Sequence, residues 1–151
     1  MPSTFGKLNL KDDHNRIVVL NAPASFEPEL AGLRGVKVER KLEGIDEVGF
    51  SLAFVTKQKE VDTLGKVIGK KATGDAVVWF AYPKGSSKKY KSEINRDSGW
   101  AVLGQAGFEP VRMVAIDEDW SAVRFRRADF IKTMTRGKEH RISAQGKSRN
   151  K

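Results

Sequence analysis

The sequence predicts a three-layer α/β sandwich with about six strands, mostly parallel and closed by a C-terminal antiparallel hairpin. Short, nearly continuous apolar runs recur at Ile17 to Pro23, Val48 to Val55 and Ala76 to Tyr82. Strands buried on both faces of a parallel sheet need such runs. Segments with helical spacing lie between them. The last two extended segments are joined only by the short polar turn around Asp117-Glu118-Asp119, which suits a hairpin and is too short for a parallel crossover.

Each element has a local reason. In IVVLNAP, β-branched residues give a buried strand and Asn-Ala-Pro ends it. Ser25 precedes FEPELAGL, a short helix candidate with acidic residues in its first turn. Val36 to Leu42 mixes apolar and charged positions, as a strand near a sheet edge does. VGFSLAFV is the second buried strand, and Thr56 after it is placed to cap a helix. Val61, Leu64, Val67 and Ile68 fall on one face of that helix. Thr73-Gly74-Asp75 reads as a turn, and AVVWFAY as the central strand, stopped by Pro83. After the loop KGSSKKYKSEINR, Asp97 or Ser98 is expected to cap a helix that turns Trp100, Leu103 and Ala106 inward and ends at Gly107. Val111 to Ile116 and Ser121 to Arg126 form the hairpin, with Val123 and Phe125 inward and Arg124 and Arg126 alternating with them. The order of elements is Rossmann-like.

Composition narrows the class. The chain has 151 residues, 39% hydrophobic and 31% charged, with a net charge of +9 and no cysteine. A chain of this length makes one domain and buries roughly 70% of the surface it exposes when unfolded. Without cysteine there are no disulfides, thiolate metal sites, iron–sulfur clusters or cysteine nucleophiles. No apolar run approaches the roughly 18 residues of a membrane span, and MPSTFGKLNLKDDH lacks the apolar core of a signal peptide. A cytoplasmic protein with no membrane partner is the expectation. The charge is concentrated in two places. Lys84, Lys88, Lys89, Lys91 and Arg96 oppose only Glu93, and Lys132, Arg136, Lys138, Arg141, Lys147, Arg149 and Lys151 oppose only Glu139. Residues 1–129 are therefore read as a single domain and residues 130–151 as a basic, flexible tail that serves solubility or contacts phosphates.

The order of elements, with GDAVVWFAYPK, a helix ending in AGF and a closing hairpin, resembles the second half of the class I methyltransferase fold. AYPKGSSKKYKSEINRDSGW and VAIDEDWSAVRFR are similar to a family of small uncharacterised bacterial proteins with this fold in reduced form. The resemblance covers roughly residues 10–132 and implies S-adenosylmethionine as the cofactor to test, with Asn21, Ser25, Thr56 and Tyr82 as candidate contacts. The chain departs from the family pattern. Its first strand leads into Asn21-Ala22-Pro23-Ala24-Ser25-Phe26, with no glycine from Asn21 to Ala31, where backbone close to a ligand needs residues without side chains. The acidic residue that holds the ribose has only Glu39 as a counterpart, next to Arg40 and Lys41. The chain is also short by a strand and a helix.

The residues themselves point to an anion. Lys84, Ser86, Ser87, Lys88 and Lys89 follow the central strand on the side where open α/β sheets bind ligands, and together with Arg96 they can supply many donors to a phosphate. Their spacing is not that of a P-loop. Tyr90 among the lysines is placed to stack on a base, while Trp79 and Trp120 read as packing residues. Asp117, Glu118 and Asp119 form an acidic group that reads as a solvated turn or as a divalent-cation site. His14 and His140 are the only histidines, and no G-x-S-x-G elbow is present, which disfavours triad chemistry. The expectation is a non-catalytic methyltransferase-like module without a cofactor, binding an anionic small molecule or partner through the Lys/Ser loop. The alternatives are an S-adenosylmethionine-dependent methyltransferase with an atypical pocket, and a nucleic-acid-associated protein that uses loop and tail. Val36 to Leu42 or the hairpin could also pair across a homo-oligomer.

Overall fold

A computed structural model describes Phe5, Leu8, Leu10 and residues 16–33, 35–94 and 99–131. Arg96, Asp97, Ser98, both histidines and the tail from residue 132 lie outside the described residues. The strands are β1 (Arg16–Leu20), β2 (Lys37–Glu39), β3 (Val48–Phe54), β4 (Ala72–Pro83), β5 (Phe108–Ala115) and β6 (Trp120–Arg127). They form one sheet in the order β2-β1-β3-β4-β6-β5. β1 pairs in parallel with β2 and β3, and β3 with β4. β6 is inserted antiparallel between β4 and β5. The expected α/β sandwich with its closing hairpin is the fold observed.

The boundaries differ from the sequence reading for local reasons. β1 stops at Leu20 because Asn21 takes a left-handed backbone conformation, φ 59°. Ser25 lies in a 3₁₀ turn (Ala24–Phe26) that leads into α1 (Glu27–Ala31), shorter than the FEPELAGL candidate. β2 is three residues long, not the seven of Val36 to Leu42. Its continuation turns away: Arg40 pairs with Glu27, and Leu42 and Ile45 are buried in the core. Thr56 is not the cap of α2 (Gln58–Lys71); Lys57 is. The Glu60 carboxylate accepts from the Thr56 N–H at 2.9 Å, the Lys57 N–H at 3.1 Å and the Thr56 hydroxyl at 3.2 Å, which satisfies the donors a helix start leaves open. Thr73-Gly74-Asp75 lies within the span of β4, where the pairing shifts from Val48 opposite Ala72 to Phe50 opposite Val77. Gly74 supplies the positive φ of this irregularity. α3 is short (Ala101–Gln105), and buried Trp100 stands at its start.

Two cores lie on the two sheet faces. One packs α2, α3 and the 42–48 segment over Val18, Val78, Phe80 and Phe125. α2 and α3 approach closely because Gly65 and Gly69 face Val102 and Ala106; a Cβ at either glycine would stand 2.9 Å from them. The other core lays Phe5, Leu8 and α1 over Val19, Phe54 and Trp79. The Trp79 indole N–H donates to the Leu8 carbonyl at 2.7 Å. Among the described residues no helix is long and apolar enough to cross a membrane.

The irregular start of β4 is tied to the hairpin by a bidentate pair: Arg126 donates to Asp75 at 2.8 and 2.6 Å. The Arg126 hydrogen bond holds the Asp75 carboxyl below its ordinary value of 3.8, with burial opposing. A depressed folded-state pKa contributes stability that is present above the unfolded value and lost as pH falls through the folded value. Asp75→Asn should therefore cost up to about 1 kcal/mol at neutral pH, the pair being partly exposed. That difference from wild type should shrink in denaturant titrations as the pH falls below 3.8 and vanish only below the lower folded-state value.

Candidate functional site

The sheet's topology selects one edge. β1 leads to β2 on one side and β3 continues on the other, so the connections diverge at the carboxyl ends of β1 and β3, where open α/β sheets form a ligand crevice. Asn21, Thr56 and Tyr82 all lie at this edge, following β1 and β3 or ending β4. Asn21 does not leave the crevice open: its side-chain N–H donates to the Phe54 carbonyl at 3.3 Å, from one side of the divergence to the other. Asn is among the few residues with a side chain that tolerate this backbone conformation. Thr56 is engaged by Glu60. Tyr82 is buried against Trp100 and directs its hydroxyl at the Met113 sulfur, 3.8 Å away. Ser25 is exposed. The four residues share an edge but do not converge on one ligand volume.

Below this edge an aromatic chain fills the space. Phe26 packs on Phe54 at 4.9 Å, Phe54 on Trp120 at 5.1 Å, and Trp120 on Tyr90 at 5.0 Å between ring centroids. Tyr90 is thus a packing residue that anchors its loop, with Lys89 over its outer ring region at 5.6 Å.

The Lys/Ser loop is fixed at several points. The Lys84 N–H donates to the Asp119 carbonyl at 2.8 Å. The Ser87 hydroxyl donates to the Asp119 carboxylate at 2.9 Å and accepts from the Lys89 and Tyr90 N–H groups at 3.2 and 3.1 Å. Farther on, the Glu93 N–H donates to the Thr56 carbonyl at 2.8 Å, and the Glu93 carboxylate accepts from the first N–H of α2 at Gln58 at 2.9 Å. The loop therefore runs from the hairpin turn back to the start of α2, along the ligand edge at β3 and β4. Ser87 and two loop amides are consumed by this internal fastening. Gly85, Ser86, Lys88, Lys89 and Lys91 are exposed. Among the described residues the ammonium groups of Lys84, Lys88, Lys89 and Lys91 have no acidic partner. Arg96 lies outside them.

Of the acidic turn, Asp117 accepts from the Asp119 and Trp120 N–H groups at 2.8 Å, and Asp119 holds Ser87. No group of three His, Asp or Glu side chains that could hold a metal is found among the described residues.

The sequence reading missed a cleft of about 380 Å³ beside the ends of β1 and β2. Leu20, Leu42, Leu64 and Val67 give it apolar walls; Asn21, Arg40, Lys41, Glu43 and Lys71 give it a polar rim. Lys71 is fastened to the carbonyls of Leu42 at 3.0 Å and Ile45 at 2.5 Å. Arg40 is held by Glu27, whose carboxyl is lowered chiefly by that hydrogen bond. The cleft exists because residues 40–47 return to β3 without building a further strand or helix, a feature legible in the short Leu42-to-Val48 spacing.

No family's sequence pattern matches the chain, and no curated protein matches it by sequence. Solved structures do. A SAM-dependent methyltransferase from Aquifex aeolicus superposes with a TM-score of 0.54 at 14% identity, over 81% of this chain and 86% of that one. The N-methyltransferase NodS from Bradyrhizobium japonicum WM9 gives 0.51 at 12%, over 83% and 80%; its complex with S-adenosyl-L-homocysteine gives 0.50 at 11%, over 83% and 74%. A possible exported protein from Bordetella parapertussis gives 0.51 at 12%, over 76% and 63%. The fold is that of the class I methyltransferases. On this methyltransferase-like frame Asn21 bridges from the end of β1 to Phe54, and the loop after β4 is fastened to the hairpin.

The Ser87 fastening is directly testable. Ser87→Ala removes one donor and leaves two amides and Asp119 without their partner, so stability should fall by about 1–3 kcal/mol. Amide exchange at Lys89 and Tyr90 should rise more than exchange in β3.

Proposed function

We propose that the chain is a non-catalytic, methyltransferase-like binding module that takes an anionic ligand on the loop from Lys84 to Lys91. One observation carries this reading: the segment from Lys84 to Glu93 is fastened to Asp119, Trp120, Thr56 and Gln58, yet among the described residues the ammonium groups of Lys84, Lys88, Lys89 and Lys91 have no acidic partner. A fixed backbone lowers the entropy lost when flexible side chains close on a ligand. The Asp117–Asp119 turn beside Lys84 repels anions, so the attractive surface is the side carrying Lys88, Lys89 and Lys91. Ser86 adds an exposed hydroxyl there. In the crevice above β1, the polar groups that would meet a cofactor are engaged internally: Asn21 with Phe54, Thr56 with Glu60, and Tyr82 with Met113. These engagements support the absence of catalysis.

The test uses inorganic pyrophosphate as the probe. Wild-type protein should bind it saturably, and the affinity should fall as ionic strength rises. Replacing Lys84, Lys88 and Lys89 together with Ala should reduce binding about tenfold or more with little change in melting temperature, since Lys88 and Lys89 are exposed and Lys84 is only partly buried. Wild-type affinity in the triple variant would remove the loop from the reading.

A second reading, an S-adenosylmethionine-dependent methyltransferase with an atypical pocket, is favoured by the fold and by the cleft beside β1 and β2. Asn21→Gly keeps the positive φ and removes the bridge across the crevice. Calorimetric titration with S-adenosylhomocysteine should give no heat of binding for wild type under the first reading. Saturable binding by wild type, or a gain on Asn21→Gly, would turn the assignment to the second.

A further inference from the structure

Away from the loop, one face of the hairpin carries three arginines, Arg112, Arg124 and Arg126, of which only Arg126 has an acidic partner among the described residues. Arg112 on β5 stands directly opposite Arg124 on β6, and Arg124 stands opposite Trp79 on β4. Like charges opposite each other on neighbouring strands destabilise a sheet. Arg126, two residues along the same face, is neutralised by Asp75. Glu109, its cross-strand partner, is 1% exposed and already engaged. Among the described residues Arg112 and Arg124 have no hydrogen-bonded acidic partner. Arg112 projects into solvent. Arg124 is half-buried, and its Nε–H is shielded from water without a hydrogen-bond acceptor. Burial pulls the Arg124 pKa down, and Arg126 and Arg112 add repulsion that Asp75 only partly offsets.

A desolvated guanidinium donor without an acceptor is costly. An oxyanion seated between the two forks would satisfy the Arg124 Nε–H, screen the repulsion between the arginines and be clamped from two strands. A phosphate monoester suits the position: it carries a charge near −2 at neutral pH and three acceptor oxygens, against two guanidinium groups without a hydrogen-bonded acidic partner among the described residues. Planar guanidinium forks bind such groups in pairs of parallel hydrogen bonds. We infer that Arg112 and Arg124 form a binding site for a phosphate monoester on the hairpin face, separate from the Lys84–Lys91 loop.

The site is independent of the loop reading, so one set of variants separates them. The direct probe is the arginine Nε–Hε resonance of Arg124, followed by NMR during titration with inorganic phosphate against a sodium chloride titration of equal ionic strength. Phosphate should shift this resonance saturably, and chloride should not. Arg112→Gln, at an exposed position that does not threaten folding, should weaken phosphate binding about tenfold. In phosphate-free buffer the same variant should be as stable as wild type or more so, because it relieves the repulsion. The Lys84/Lys88/Lys89 triple alanine variant should keep the Arg124 shift. A 5′-phosphorylated oligonucleotide that competes, while its 5′-hydroxyl counterpart does not, would identify a nucleic-acid end as the source. Competition by a nucleoside monophosphate alone would identify a small molecule. The inference is overturned if phosphate moves the Arg124 resonance no more than chloride does, if Arg112→Gln leaves the affinity unchanged, or if the loop variant abolishes the shift.

Discussion

The double duty of β4 constrains most of this molecule. The strand pairs in parallel with β3 and antiparallel with β6, and from Ala76 to Pro83 every residue is buried. It must therefore be apolar on both faces and leave the sheet at the same edge where β6 begins, since Trp120 stands opposite Pro83. That proximity places the segment after β4 against the hairpin turn and makes the Ser87–Asp119 contact available. The helix after the loop must pack on the α2 face, where Trp100 and Leu103 join the core, so the loop has to travel from the hairpin to the start of α2. Its course along the ligand edge follows from strand order.

The same edge shows how one fold can hold or close a crevice. Backbone close to a ligand needs donors left free and side chains kept out. Here the residue after β1 keeps the left-handed conformation that glycine would give but adds an amide that donates to Phe54. Beneath it, Phe26, Phe54 and Trp120 pack ring on ring, each contact adding to the area already removed from water. Open volume has moved instead to the cleft between α2 and residues 40–47. Its walls are aliphatic and two of its cations are already engaged by Glu27 and by backbone carbonyls.

Strand identity was readable from Ile17 to Leu20, Val48 to Val55 and Ala76 to Tyr82, because strands buried on both faces leave an apolar run that needs no knowledge of neighbours. The hairpin was readable from connection length. Boundaries were less so. Nothing in Val36 to Leu42 signals that Arg40 turns out toward Glu27, because ion pairs between distant segments have no periodicity. Thr73-Gly74-Asp75 carries turn chemistry, but Asp75 is held in strand by Arg126, 51 residues away. The site divides similarly. Residue types and chain order were enough to place the lysines just after the carboxyl end of β4. That Ser87 faces inward, that Tyr90 rests on Trp120, and that Asn21 reaches Phe54 depend on contacts across the sheet edge, which spacing along the chain does not encode.

Positive charge is presented in two physically different ways. Ammonium groups on the loop are hydrated and cost the fold little, so their presence says little by itself; what distinguishes them is the fixed backbone beneath. The arginines of the hairpin face are the reverse. For stability alone, a β-branched residue at Arg124 between Trp79 and Arg112 would pack well on the pleated surface and remove a desolvated donor. Arg126 shows what the local solution to such a charge looks like, since the Asp75 carboxylate accepts from its Nε and Nη2. Among the described residues Arg124, on the same face two residues away, has no equivalent, and the inferred phosphate monoester would supply the acceptor it lacks.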